Sequence, residues 1–183
     1  DYRAGTPFKL IWEGLPSNLP HLGQIADVLR GIAGNRELEL HVVTDPTQKR
    51  YLGRFGTIHS EKTLARFFNA VHFHPWTVET FSQVVTSADL AVIPIDLADS
   101  FAVGKPENKL LLFWRLGMPV VCSATPAYVR AMQAIQRPDL VCANADDWTS
   151  TLCMMMDDQA SRKDAGERGR LLSLIHISEP TRP

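Results

Sequence analysis

Only three cysteines occur in the chain, Cys122, Cys142 and Cys153, and no two have the spacing of a disulfide framework or a metal knuckle. Cys122 and Cys142 lie in apolar, strand-like runs and read as buried thiols of a reducing compartment rather than of a secreted protein. Neither sign of charge is in excess: 19 Lys and Arg stand against 20 Asp and Glu, a net charge of -1. No basic footprint for nucleic acid therefore stands out. No apolar run approaches the roughly 20 residues that span a bilayer, and no signal peptide opens the chain. Gly-x-Gly-x-x-Gly is missing after the first apolar run, which disfavours a dinucleotide-dependent dehydrogenase. Internal repeats and low-complexity linkers are missing too.

What is present is enough apolar residue for one full core, 45% of 183 positions, and too little chain for two comfortable domains. Short apolar runs alternate with segments of helical period. Lys9 to Trp12, Leu38 to Val43, Val71 to His74, Asp89 to Ile95, Met118 to Cys122 and Leu140 to Cys142 read as strands. Leu19 to Ala33, Glu61 to Asn69, a segment from Thr77 or Glu79 to Ala88, Thr125 to Ile135, a segment opening at Asp146, and a polar stretch from Gln159 to Leu171 read as helices. Strands alternating with helices imply right-handed parallel crossovers, hence an α/β, Rossmann-like, doubly wound parallel sheet of about six strands in the order 3-2-1-4-5-6. In such a sheet ligands bind outside the carboxyl ends of strands one and four, where the strand order reverses.

Those ends carry Gly14-Leu15-Pro16-Ser17-Asn18 and the stretch from Asp96 to Lys109. Gly14 allows close approach of a ligand, and Ser17 or Asn18 suits the cap of the following helix. Gly104-Lys105-Pro106-Glu107-Asn108-Lys109-Leu110 then starts a helix, with Pro106 suited to its first turn, and Gly117 stops it in the left-handed conformation. Free N–H groups and the helix dipole favour an anion there, and a lysine adds full charge. The same spacing equally suits a buried connecting helix with a solvated lysine at its mouth. Gln48-Lys49-Arg50 is a basic loop that could meet phosphate, although short exposed basic runs are usually just solvated. Pro75-Trp76, after the third strand, suits either an apolar ligand surface or a core tryptophan under a loop. His72 and His74 share one strand face, but no Cys or carboxylate is spaced to complete a metal site, so none is expected.

Lys105-x-x-Asn108-Lys109-Leu110 followed by Gly117-x-Pro119-Val120-Val121 resembles the donor-side signature of GT-B glycosyltransferases, in particular the family-4-like enzymes that build polysaccharides. The order and spacing of elements resemble that family from about Lys9 to Asp157. The resemblance implies one half of a GT-B fold: the C-terminal domain, which binds a nucleoside-diphosphate sugar. It implies donor contacts at Gly14, Asn18, Pro75, Trp76, Lys105, Asn108, Lys109 and Leu110, with the Asn-Lys turn at the diphosphate and Pro75-Trp76 near the nucleobase. It also implies transfer without a bound divalent ion or other cofactor. The acceptor-binding domain comes first in such enzymes, so a preceding domain is the expected partner, and the fragment alone is expected to lack turnover. A cytoplasmic enzyme, peripheral to the inner membrane through that preceding domain, follows from the same resemblance.

The sequence departs from the family in two places. The family's two glutamates, eight positions apart, would fall at Gly104 and Leu112, and neither is acidic. The basic residues that relatives carry after the first strand are missing from Gly14 to Asn18. These departures support an alternative, a non-catalytic GT-B-like module that binds a nucleotide or a partner. The chain starts at Asp1 without methionine, as though cut from a longer protein. Leu172 to Arg182 resembles a reading frame of a common sequencing adapter, as in a metagenomic fragment. The expected division is therefore a donor domain over residues 1–171 and a non-native tail over 172–183 that contributes no core packing.

Overall fold

The computed structural model describes residues 2–49 and 56–178, with side chains to residue 174. A six-stranded sheet is built from β1 (Phe8–Glu13), β2 (Leu38–Thr44), β5 (His72–Pro75), β6 (Leu90–Ile93), β7 (Val120–Ser123) and β8 (Val141–Cys142). Its order is β5-β2-β1-β6-β7-β8 and every pairing is parallel. This is the expected 3-2-1-4-5-6 arrangement, with β1 and β6 as neighbours and the order reversing between them. The four residues of β6 and the four of β7 are buried throughout, as strands covered on both faces must be. Trp12, Leu10, Ile11, Leu90 and Ile93 fill the centre of the core with Phe113 and Trp114 from the helix before β7.

Helices α1 (Leu19–Gly23) and α2 (Ala26–Ala33) divide the single helix expected from Leu19 to Ala33. A Cβ on Gly23 would lie 2.7 Å from the Phe67 ring, so this glycine lets Phe67 pack against the break. A short antiparallel pair, β3 (Thr47–Lys49) and β4 (Thr57–His59), replaces the loop expected at Gln48-Lys49; Arg50 lies outside the described residues. Gln48 Oε1 accepts the Ser17 N–H at 2.9 Å, which ties this ribbon to the turn after β1. The helix expected from Glu61 to Asn69 is only α3 (Ser60–Leu64). Beyond it, backbone N–H groups of Phe67 and Phe68 still bond Leu64 in a non-helical turn.

Helix α4 (Val78–Ser87) starts where expected, with Thr77 Oγ1 accepting the Thr80 N–H at 3.0 Å. A one-turn helix, α5 (Ser100–Val103), occupies the expected loop, capped by Asp99 Oδ1. Helix α6 (Asn108–Arg115) follows, with Pro106 just outside it rather than in its first turn. It ends at Gly117, whose φ of 71° only glycine adopts without strain. Helix α7 (Pro126–Ala134) is capped by Thr125, and a 3-10 turn at Pro138–Leu140 takes the place of the start expected for strand six. Helices α8 (Ala145–Asp157) and α9 (Gln159–Ser178) close the chain.

Helix α9 is not a detached polar tail. It packs on α6 through two glycines a turn apart: a Cβ on Gly169 would lie 2.4 Å from the Trp114 ring, and one on Gly166 2.4 Å from the Gly117 carbonyl oxygen. The helix continues to Ser178, into the stretch assigned to an adapter; Leu172 packs against the core and Ser173 is buried. The expectation that nothing past residue 171 contributes packing is thereby corrected at these two positions. Extending an existing helix is easier than starting one, because each added residue is fixed in exchange for one more backbone hydrogen bond.

Candidate functional site

The carboxyl ends of β1 and β6 open into a crevice at the point where strand order reverses. Two hollows of about 240 Å³ each flank the segment Pro94-Ile95. One is lined by Asn18, His21, Lys105, Asn108, Lys109 and Tyr128, among others. Ser123 pins this segment: its Oγ accepts the Ile95 N–H at 2.8 Å and donates to the Ile95 carbonyl at 3.1 Å. The crevice wall is thus held by side-chain hydrogen bonds from the neighbouring strand end.

Lys109 is the centre of charge. It lies in the first turn of α6, and its Nζ reaches back across the crevice to β1. There it donates to the Glu13 carbonyl, stands 3.6 Å from Glu13 Oε2 and lies 5.2 Å from the Trp12 ring centroid. Burial lowers the Lys109 pKa, and the Glu13 carboxylate opposes that shift. Gly14 makes the contact possible: a Cβ there would meet Nζ at 2.7 Å and the buried Trp12 ring at 2.8 Å. Its close approach is to the lysine and the tryptophan of this chain.

Lys105 is half-buried beside the same hollow, with Nζ 5.4 Å from the Phe101 ring centroid. Asn108 is exposed at the start of α6, where the leading N–H groups have no intrahelical acceptor. Asn18 lines the hollow and makes no capping hydrogen bond to α1. His21 is buried, and its Nδ1 accepts the Asp96 N–H at 3.2 Å, which places the ring proton on Nε2. Burial lowers the His21 pKa, and the nearby positive charge of Lys105 lowers it further.

Four of the expected site residues therefore meet in one hollow: Asn18, Lys105, Asn108 and Lys109, with Gly14 directly behind Lys109. Leu110 is fully buried in the core, so its side chain packs instead of facing a ligand. Pro75 and Trp76 stand at the carboxyl end of β5, on the same sheet edge but outside the hollow. Trp76 is 44% exposed, not a core tryptophan under a loop, and its backbone N–H donates to the Thr44 carbonyl at 3.1 Å. Sequence reasoning passed over Glu13 and His21. Glu13 had a signal, since it ends a strand at the switch point; His21 had none, since its place depends on the loop after β6. Leu112, where a family glutamate would fall, is 38% exposed on α6.

No protein-family model and no curated protein matches the chain by sequence. Solved structures do match, and they define the fold as a Rossmann-like half of the GT-B type. WaaG, a glycosyltransferase involved in lipopolysaccharide biosynthesis, matches with a TM-score of 0.57 at 17% identity, over 91% of this chain and 42% of its own. Sucrose-phosphate synthase from Thermosynechococcus elongatus matches with a TM-score of 0.62 at 16% identity, over 92% and 41% respectively. The catalytic domain of cholesterol-α-glucosyltransferase from Helicobacter pylori matches with a TM-score of 0.55 at 13% identity, over 93% and 99%. The chain spans less than half the length of the first two structures. Among the described residues, no helix is long and apolar enough to cross a membrane.

Proposed function

We propose that this chain is the donor-binding domain of a glycosyltransferase and that the hollow between β1, β6 and α6 receives the diphosphate of a nucleoside-diphosphate sugar. One observation carries the reading: Lys105, Asn108 and Lys109 converge with the first turn of α6 on the crevice at the switch point. The leaving nucleoside diphosphate gains negative charge as the bond between its terminal phosphate oxygen and the sugar's anomeric carbon breaks and the acceptor's oxygen bonds to that carbon. Fixed N–H groups and ammonium groups stabilise that charge without reorganising. Lys109 is held ready by Glu13 and exchanges that partner for a phosphate oxygen, while Lys105 supplies a second positive charge. His21 Nε2–H adds a neutral donor. The sugar acceptor is bound by a preceding domain, and the chain alone does not turn over.

Leu112 and Gly104, where the resembled family carries glutamates, favour a second reading: a module of the same fold that binds a nucleotide without transfer. Isothermal titration of the chain with UDP, GDP and ADP, and with the matching nucleotide sugars, tests both. Saturable binding weakened by Lys109→Ala is expected. No binding of any nucleoside diphosphate overturns both readings, while binding without transfer by the longer protein selects the second.

A further inference from the structure

At the other end of the sheet, Glu39 and His41 alternate along β2, and His72 and His74 alternate along β5. The parallel register sets His41 beside His72 and Val43 beside His74, so period two puts all four polar side chains on one face. Glu39 Oε2 lies 3.3 Å from His41 Nε2, and Oε1 lies 3.6 Å from His72 Nε2. The ligand atoms of these three residues are all within 4.8 Å of one another. The His41 ring stacks on both neighbours, with centroids 4.7 Å from His72 and 5.2 Å from His74. On its far side, His41 Nδ1 is 3.0 Å from His74 Nε2.

We propose that Glu39, His41 and His72 form a binding site for a divalent transition-metal ion of the zinc class, with His74 orienting His41. Zinc holds imidazole nitrogen and carboxylate oxygen at about 2.0–2.2 Å, so two of its tetrahedral ligand atoms lie roughly 3.3–3.5 Å apart. Glu39 stands at about that separation from each histidine, through Oε2 to His41 and through Oε1 to His72. Gathering one ligand atom from each residue around an ion needs a small further closure, which the exposed His72 on the edge strand allows. A ligating histidine typically donates its other ring N–H to a fixed acceptor. With the proton on His41 Nδ1 donated to His74 Nε2, the His41 Nε2 lone pair faces the Glu39 carboxylate and can bind an ion there; without an ion the opposite tautomer lets His41 Nε2–H donate to Glu39.

The donor set selects the ion. Two imidazoles suit zinc, cobalt, nickel or copper, whereas magnesium and calcium seek oxygen ligands. Lys9, in register with Glu39 on β1, places a positive charge nearby and disfavours a site that binds by charge alone. Three protein ligands leave a fourth position for water. The ion would staple the edge strand β5 to β2. The site stands apart from the donor crevice and does not depend on that reading, since none of its residues lines the crevice.

The test uses the tag-free 183-residue chain, freed of metal by chelation, titrated with Zn²⁺ and separately with Mg²⁺, alongside Co²⁺ absorption spectra. One Zn²⁺ per chain, no Mg²⁺ binding and the intense visible bands of four-coordinate Co²⁺ are expected. His72→Ala and Glu39→Gln each weaken Zn²⁺ binding by at least about tenfold, the lower end of what even outer-shell changes cause. Both replace partly exposed side chains, and circular dichroism checks that the variants fold. His59→Ala, an exposed histidine on β4, leaves binding unchanged. Absence of saturable Zn²⁺ binding, or binding equally tight in His72→Ala and Glu39→Gln, overturns the site.

Discussion

The Lys109 ammonium gives the sharpest perturbation of the crevice, because it already has a partner. Glu13 Oε2 is 3.6 Å away, and two unit charges at that distance attract by roughly 5 kcal/mol at an effective dielectric of about 20. Most of that gross attraction is offset by desolvating both groups. A charge-assisted hydrogen bond to a phosphate is worth about 1.5–3 kcal/mol net, so Lys109→Ala should raise the Kd for a nucleoside diphosphate by roughly 10- to 150-fold. Glu13→Gln keeps the side chain's shape and removes the competing carboxylate, so it should tighten binding. Part of that gain comes from relieving repulsion between Glu13 and the diphosphate, and this part persists when Lys109 is absent. The rest comes from freeing the lysine and vanishes in the Lys109→Ala background. The double-mutant cycle therefore measures the exchange of partners directly. Isothermal titration at matched ionic strength reads all four proteins, with Lys49→Ala as the control for an exposed charge outside the hollow. A Lys109→Ala protein that binds like the parent while Lys49→Ala does not would refute the placement of the diphosphate. Additive effects of Glu13→Gln and Lys109→Ala would refute the exchange.

Gly14→Ala drives a methyl group into the buried Trp12 ring and the Lys109 tip; a loss of about 1–3 kcal/mol in urea unfolding is expected, the usual range for overpacking. Gly169→Ala should cost a similar amount, about 1–3 kcal/mol, by forcing α9 away from Trp114, with the change read as a lower melting temperature. Truncation after Leu171 removes a half-buried leucine and should lower stability by about 1 kcal/mol, less than the roughly 1.5–3 of a fully buried one. His21 has a folded-state pKa below its unfolded value near 6.5, so it favours the folded state above that pH. As pH falls through about 6.5 the unfolded chain takes up the proton first and stability declines, until the folded state protonates as well. His21→Gln should flatten the fall in stability between about pH 7 and 5 in part, the remainder belonging to His41 and His74, whose pKa values burial also lowers.

Local signals determined much of this molecule. Apolar runs of three to seven residues separated by helical segments were sufficient for the parallel sheet, because a right-handed crossover leaves few ways to order such strands. Gly117 and Thr125 marked a helix end and a helix start through backbone preferences that act within a few residues. The order reversal then located the crevice, and the Lys105 to Lys109 turn fell at its edge. Tertiary structure alone decided what those side chains touch. Glu13 stands 96 positions before Lys109, and only the adjacency of β1 and β6 brings them together. Leu110, next in sequence to Lys109, turns to the core because successive helix positions point about 100° apart. His72 and His74 looked isolated along the chain; the register of β5 on β2 supplies Glu39 and His41, since a one-residue slip would put them on opposite faces. The short β3–β4 pair and the break between α1 and α2 carry too few residues for periodicity to resolve, and their form depends on packing partners distant in sequence.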